Sequence, residues 1–320
     1  MSIALKDVYR IAVEKGVAED ARDRSEIDRV LANARKTYEK LDEDERDFFD
    51  TEKFTNPYSD TRIAVGDPES MVRGLIVGID MEVGEVLLAD RLREKGEPID
   101  LVFAHHPEGP GFAGLHEVMY MQADLWAAQG VGIGAADALI EPRAQEIRRK
   151  IMPANHYRAI DAAKILGFSM MSCHTPADNS VNAFVQRFLE QEAPATLDDV
   201  VKVLRTIPEY ADAARKGYGP ALISGSPSAR PGRIVVDMTG GTEGPKEALE
   251  RLSAAGVGTL VGMHYSEEHR KRAEELKVNL IIAGHVSSDT LGMNLVLDEI
   301  ERAGEIAIYC TSGMVRVKRP

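Results

Sequence analysis

The chain has 320 residues, 44% of them hydrophobic, and carries 52 acidic against 39 basic side chains for a formal net charge of -13. That length supports a sizeable core in two domains, or in one domain with a large insertion. The acidic balance argues against a non-specific nucleic-acid binder, whose affinity comes from Lys and Arg on phosphates, and no apolar run reaches the ~18 residues a membrane span needs.

The first segment, MSIALKDVYRIAVEKG, is amphipathic and charged, and lacks the basic head, apolar middle and cleavage site of a secretory signal. The two cysteines, Cys173 and Cys310, cannot build a disulfide framework and fit a reducing compartment. A cytoplasmic protein is expected. Residues 1–55 read as a helical extension: Ile27, Val30, Leu31, Ala34 and Tyr38 recur at helical spacing, predicting one long amphipathic helix that TNPYSD breaks.

From residue 72 strands and helices alternate. VRGLIVGI reads as a strand, GEVLLADRLREKG as a helix and IDLVFA as a strand. Residues 112–166 then read as a helical insertion, before the strand GFSMMS and the helix SVNAFVQRFLEQE. Residues 56–193 therefore form a first α/β lobe. Residues 194–232, ending in GPALISGSPSARPG, read as a linker region, and residues 233–320 as a second α/β block with strands RIVVDM, GTLVGM, NLIIAG and EIAIYC. The fold class is α/β, in two lobes with mostly parallel sheets covered on both faces.

Chemistry-bearing residues gather at strand ends, where parallel α/β proteins place their ligands. LVFAHHPEGPG delivers His105 and His106 past a buried strand into a Pro/Gly loop. NLIIAGH places His285 past another, with Asp289 four residues on, and SCHTPADNSVN follows a third with His174 and Asp178. Imidazole and carboxylate together suit Zn²⁺, Mn²⁺ or Fe²⁺. The plainer alternative for Asp178 is a helix cap; for Asp289 it is a charge complementing a helix that Ser287 or Ser288 caps. GGTEG could hold an anion on backbone N–H groups or be an ordinary strand–helix turn. Asp80, ending LIVGID, could orient a ligand from behind, while Cys173 reads as a small core residue.

In these segments the sequence resembles the NIF-three-like family, also known as type 2 GTP cyclohydrolase I. The resemblance starts at IAVGDPESMVRGLIVGID and runs through DLVFAHHPEG and SCHTPADNSVN to YSEEHRKRAEELKVNLIIAGHVSSDTLGMNLVLDEI; it leaves residues 1–55 outside. It implies a site for two divalent metal ions held by His105, His106, Asp178, His285 and Asp289, with Asp289 standing where the family has Glu. His174 matches a family histidine placed behind the ligands. Glu108, His174 and His264 are the groups that would move protons, and His264 replaces an acidic residue. The segment between His106 and Asp178 is longer than the family's. The resemblance further implies a metal-dependent hydrolase of a purine nucleotide or related small molecule, and a homo-oligomer, typically a hexamer, with a dimer as the alternative. A non-catalytic metal-binding or partner-binding protein is the competing function.

Overall fold

Among the described residues, which in this computed structural model are 2–319, short runs of apolar residues pair into two main sheets and a small two-stranded one. Along the first half of the chain the strands are β1 (Ile3–Ala4), β2 (Arg62–Val65), β3 (Met71–Val72), β4 (Gly74–Gly78), β5 (Leu101–Ala104) and β6 (Ser169–Ser172). The second half supplies β7 (Ala221–Ser224), β8 (Arg233–Asp237), β9 (Val257–Gly262), β10 (Asn279–Ile282) and β11 (Ala307–Cys310). The helices of the first half are α1 (Leu5–Ala18), α2 (Arg24–Lys40), α3 (Glu43–Arg46), α4 (Val83–Glu94), α5 (Pro110–Val118), α6 (Met121–Ala128), α7 (Ile133–Ile151) and α8 (Arg158–Leu166). Then come α9 (Thr175–Glu192), α10 (Leu197–Leu204), α11 (Pro208–Arg215), α12 (Ala248–Ala254), α13 (Glu267–Leu276) and α14 (His285–Ala303).

The first sheet has the order β11-β4-β5-β6-β2, parallel except for the edge strand β2. The second has the order β7-β10-β9-β8, parallel except for the edge strand β7. Gly74–Gly78 and Leu101–Ala104 are buried throughout, which is why they read as unbroken apolar runs rather than as alternating ones. Among the described residues no helix is long and apolar enough to cross a membrane.

Four expectations change. Residues 1–55 do not form one long helix: the chain breaks between α1 and α2, where the buried Asp20 takes a hydrogen bond from Tyr58 Oη at 2.9 Å and pairs with Arg22 at 2.8 Å. Nor is the segment an appendage, because α1 buries Leu5, Val8 and Ala12 against α9 and α14. The linker region 194–232 is largely structured, with α10, α11 and the edge strand β7. Leu197, Val200, Val201 and Leu204 of α10 are buried, an apolar helical stripe that the Gly/Pro/Ser-rich sequence after it obscures. The strand Ala307–Cys310, read as part of the second block, pairs with β4 and closes the first sheet.

The helical insertion also sits elsewhere than its sequence position suggests. Its apolar faces (Met119, Trp126, Ile140, Ile147) share a core with Leu249, Leu252, Leu260 and Leu280 of the second lobe. The insertion therefore leaves the first lobe, covers one face of the second sheet and returns. This roofs the space between the lobes.

Candidate metal centre

The carboxyl ends of β4, β5 and β6 and of β8, β9 and β10 all open on that space. Beyond β5 the backbone keeps sheet register for two more residues: His105 N–H donates to Gly78 O at 3.0 Å and His106 N–H to Ile79 O at 2.9 Å. The histidine pair is thus held by main-chain bonds before its loop begins.

Each of three imidazoles is then oriented through Nδ1. His105 Nδ1 lies 3.1 Å from Cys173 O, His106 Nδ1 2.6 Å from Asp80 Oδ1, and His174 Nδ1 2.8 Å from Asp60 Oδ2. A carbonyl oxygen can only accept, so His105 carries its proton on Nδ1, and in the neutral ring the lone pair sits on Nε2. This is the usual arrangement behind metal-ligating histidines.

The Nε2 atoms meet two carboxylates. His105 Nε2 is 3.5 Å from Asp178 Oδ1 and 3.4 Å from Asp289 Oδ1. Asp289 Oδ2 lies 3.7 Å from His106 Nε2 and 3.6 Å from His285 Nε2, so the two oxygens of Asp289 face different imidazoles. His174 Nε2 is 3.8 Å from Asp178 Oδ2. Three overlapping groups can each hold an ion: His105, His106 and His174; His106, His285 and Asp289; and His105, Asp178 and Asp289.

The two lobes build this site by the same device. In each, one (β6) or two (β10) residues separate the end of a strand from a histidine, an aspartate follows at the fourth residue beyond that histidine, and a long helix begins just after the histidine (α9) or at it (α14). The two helices, α9 and α14, pack side by side with their amino ends at the site. Their approach depends on Gly292, where a Cβ would stand 2.3 Å from Ala177 O.

The buried polar atoms test whether the site suits a cation. Among the described residues, none supplies a hydrogen-bond partner for the buried His105 Nε2, Asp178 Oδ1 and both carboxylate oxygens of Asp289. Such atoms cost on the order of 1–3 kcal/mol each when left unpaired. Burial, the charge of Asp289 and that of Asp60 push the Asp178 carboxyl well above the usual range. Burial also opposes ionisation of Asp289, but the imidazoles, His105 foremost, hold it low. Burial disfavours charge on His105 too, yet Asp289 and Asp178 outweigh it and raise that imidazole. Burial lowers His106 and His285. Converging lone pairs and carboxylates crowded together fit a divalent cation well.

The plainer alternatives for the aspartates do not hold. Ser287 and Ser288 hydrogen-bond back to Gly284 O, at 3.2 and 2.6 Å, instead of capping α14. Asp178 lies in the first turn of α9 but makes no capping hydrogen bond, and its Oδ1 is unpaired among the described residues. His174, expected behind the ligands, turns its Nε2 toward Asp178 and shares a potential ion-holding group with His105 and His106. His264 is exposed, its ring 4.9 Å from that of His285. Glu108 lines the cavity, and burial together with Glu82 pushes its carboxyl up to about 7. GGTEG is secured by protein: Gln122 Nε2 donates to Gly240 O at 2.6 Å and Thr242 O at 2.8 Å. Cys173 is a buried core residue that also lends its carbonyl to His105.

Sequence reasoning missed Asp60, which lies in a segment that reads only as a helix breaker. It is fully buried, and burial resists its charge, but hydrogen bonds from His174 and from Thr175 Oγ1 at 2.6 Å hold its carboxyl low. Asp60→Asn should loosen His174 and weaken metal affinity by roughly 10–100-fold, measured by chelator competition. Unchanged affinity would mean that His174 takes no part in holding the ion.

No protein-family model and no curated protein matches the sequence. Solved structures do. A NIF3 superfamily protein from Sphaerobacter thermophilus is 26% identical, with a TM-score of 0.70 over 80% of this chain and 92% of that one. Reduced HcgD from Methanocaldococcus jannaschii shares the fold at 13% identity, with a TM-score of 0.50 over 78% of this chain and 87% of that one. The shared fold over nearly the whole of the Sphaerobacter protein agrees with the motifs that carry the resemblance, and this chain belongs to the NIF3 superfamily.

Proposed function

We propose that this protein is a metal-dependent hydrolase of a small molecule, with a dinuclear centre that would draw on both carboxylate oxygens of Asp289. The observation that carries this reading is the set of buried atoms on His105, Asp178 and Asp289 that are unpaired among the described residues, the two aspartates lining a cavity of about 540 Å³. His105, Asp178 and one oxygen of Asp289 would hold one ion, and His106, His285 and the other oxygen the second. Divalent cations, when bound, polarise a substrate oxygen and acidify water.

The chain's own groups do the rest. Asp80 and Asp60 keep His106 and His174 turned toward the carboxylates. Glu108, two residues beyond the histidine pair, offers a carboxyl on the cavity wall, and His264, its ring 4.9 Å from that of His285, offers an imidazole. Either can accept or return a proton at a substrate atom placed between them. The insertion roofs the cavity and limits the access of bulk water.

The test is metal content by mass spectrometry, before and after loading with Zn²⁺, Mn²⁺ or Fe²⁺, followed by a screen of nucleotides and phosphoesters for hydrolysis. Uptake of about two ions per chain with metal-dependent turnover is the expected result. Uptake without turnover on any substrate would favour a metal-binding or regulatory role, and failure to load any of the three metals would remove both readings.

A further inference from the structure

We propose that the cavity beyond the metal cluster binds a planar nitrogen heterocycle that presents an amine or amidine-type N–H edge to Asp237 and carries no polyphosphate. This deepens the hydrolase reading by naming a substrate class, and rests on it only in taking this cavity as the ligand site.

Charge is the first argument. Among the described residues, the cavity lining holds seven carboxylates and one guanidinium, that of Arg158, with no lysine. Two of the carboxylates belong to the metal cluster, and Asp80 is engaged by His106. Two divalent ions would still leave the lining negative. An anionic group could reach the metals, but a polyphosphate extending past them would meet Glu82, Glu108, Asp237 and Glu243.

The second argument is a set of polar groups without protein partners among the described residues, far from the histidines in sequence. Asp237 ends β8 and is accessible where it borders the cavity, and no described residue makes a hydrogen bond or ion pair to its carboxylate. Glu243 itself is satisfied, taking Ser266 N–H at 2.7 Å and lying 3.1 Å from His269 Nδ1. Beside these two carboxylates, Tyr265 lines the cavity, and its buried hydroxyl has no partner among the described residues. Gly262 makes room for that hydroxyl, since a Cβ there would stand 2.6 Å from it. On the insertion side, His156 Nδ1 is likewise buried and unpaired.

The third argument is the wall between these ends. Phe112, Leu115 and Met263 line it, with the Phe112 ring set edgewise on His156 at 4.8 Å. An apolar wall with polar atoms at its ends suits a ring system with donors on its rim. The insertion supplies part of that wall, so its length bears directly on which ligand fits.

Isothermal titration calorimetry on the metal-loaded full chain tests this with 2-aminobenzimidazole, benzimidazole and GTP. The expected order is 2-aminobenzimidazole tightest and GTP weakest. Asp237→Asn should weaken the amine by roughly 10-fold or more, and Tyr265→Phe by a few-fold, as expected for the loss of a charged and a neutral hydrogen bond. Tighter binding of GTP than of the amine would overturn the proposal. So would undiminished affinity in Asp237→Asn, or no binding of the amine at all. Asp289→Ala, a variant of the metal cluster, should keep the amine. Amine binding that depends on Asp237 in protein that takes up no metal would therefore sink the hydrolase reading and leave this one standing.

Discussion

Asp289→Ala should strip the protein of both ions rather than one. The two carboxylate oxygens face different histidines, Oδ1 toward His105 at 3.4 Å and Oδ2 toward His106 and His285 at 3.7 and 3.6 Å. A single substitution thus removes a ligand from each side of the cluster. The fall in affinity should exceed the roughly 10–100-fold typical of losing a group behind the ligands, and hydrolysis should vanish with it. His285→Ala is the contrast. Its ring stands on the exposed side near His106, so it should cost one ion and leave His105, Asp178 and Asp289 able to keep the other. Mass spectrometry of both variants after identical loading reads the difference. Equal loss in both would show that the sites are not separable, and full occupancy in Asp289→Ala would end the reading in which both its oxygens hold ions.

Gly292→Ala should damage stability and the metal centre together. An alanine is worth up to about 1 kcal/mol more than glycine in a helix interior, so on propensity alone the change would help. The new Cβ, however, would stand 2.3 Å from Ala177 O, a backbone atom of the neighbouring helix that cannot swing aside. The helices must separate, and overpacking of that kind typically costs ~1–3 kcal/mol. Packing therefore outweighs propensity. Because α9 carries His174 and Asp178 near its start and α14 carries His285 and Asp289, separating them also parts the two carboxylates. Thermal unfolding should show a lower midpoint, and loading should fall with it. Gly134→Ala is the control: it lies in α7 with nothing near its Cβ position and should be neutral or mildly stabilising. A Gly292→Ala protein as stable and as well loaded as wild type would mean that the helix contact does not set the site's geometry.

Much of this was legible because it is local. Buried parallel strands read as continuous apolar runs, so Gly74–Gly78, Leu101–Ala104 and Asn279–Ile282 announce themselves, and each histidine or aspartate just beyond such a run is carried to a sheet edge. Asp80 followed the same logic and indeed orients His106. Asp60 escaped because nothing nearby marks it; its partners His174 and Thr175 are more than a hundred residues away. Asp237 ends a strand as the others do, but no histidine stands beside it to draw attention.

The sequence by itself determined the α/β class, the strand ends that bear chemistry and the family resemblance, since all of these follow from short-range periodicity and from motifs whose residues lie within a few positions of one another. Only the tertiary structure decided that β11 returns to the first sheet, that α1 belongs to the core, that the helical insertion crosses to roof the second lobe, and that His174 turns toward Asp178. Those outcomes depend on which apolar face finds which partner across long stretches of chain, and on the spacing of α9 and α14. Periodicity reports that a face must be buried; the packed chain alone chooses what buries it.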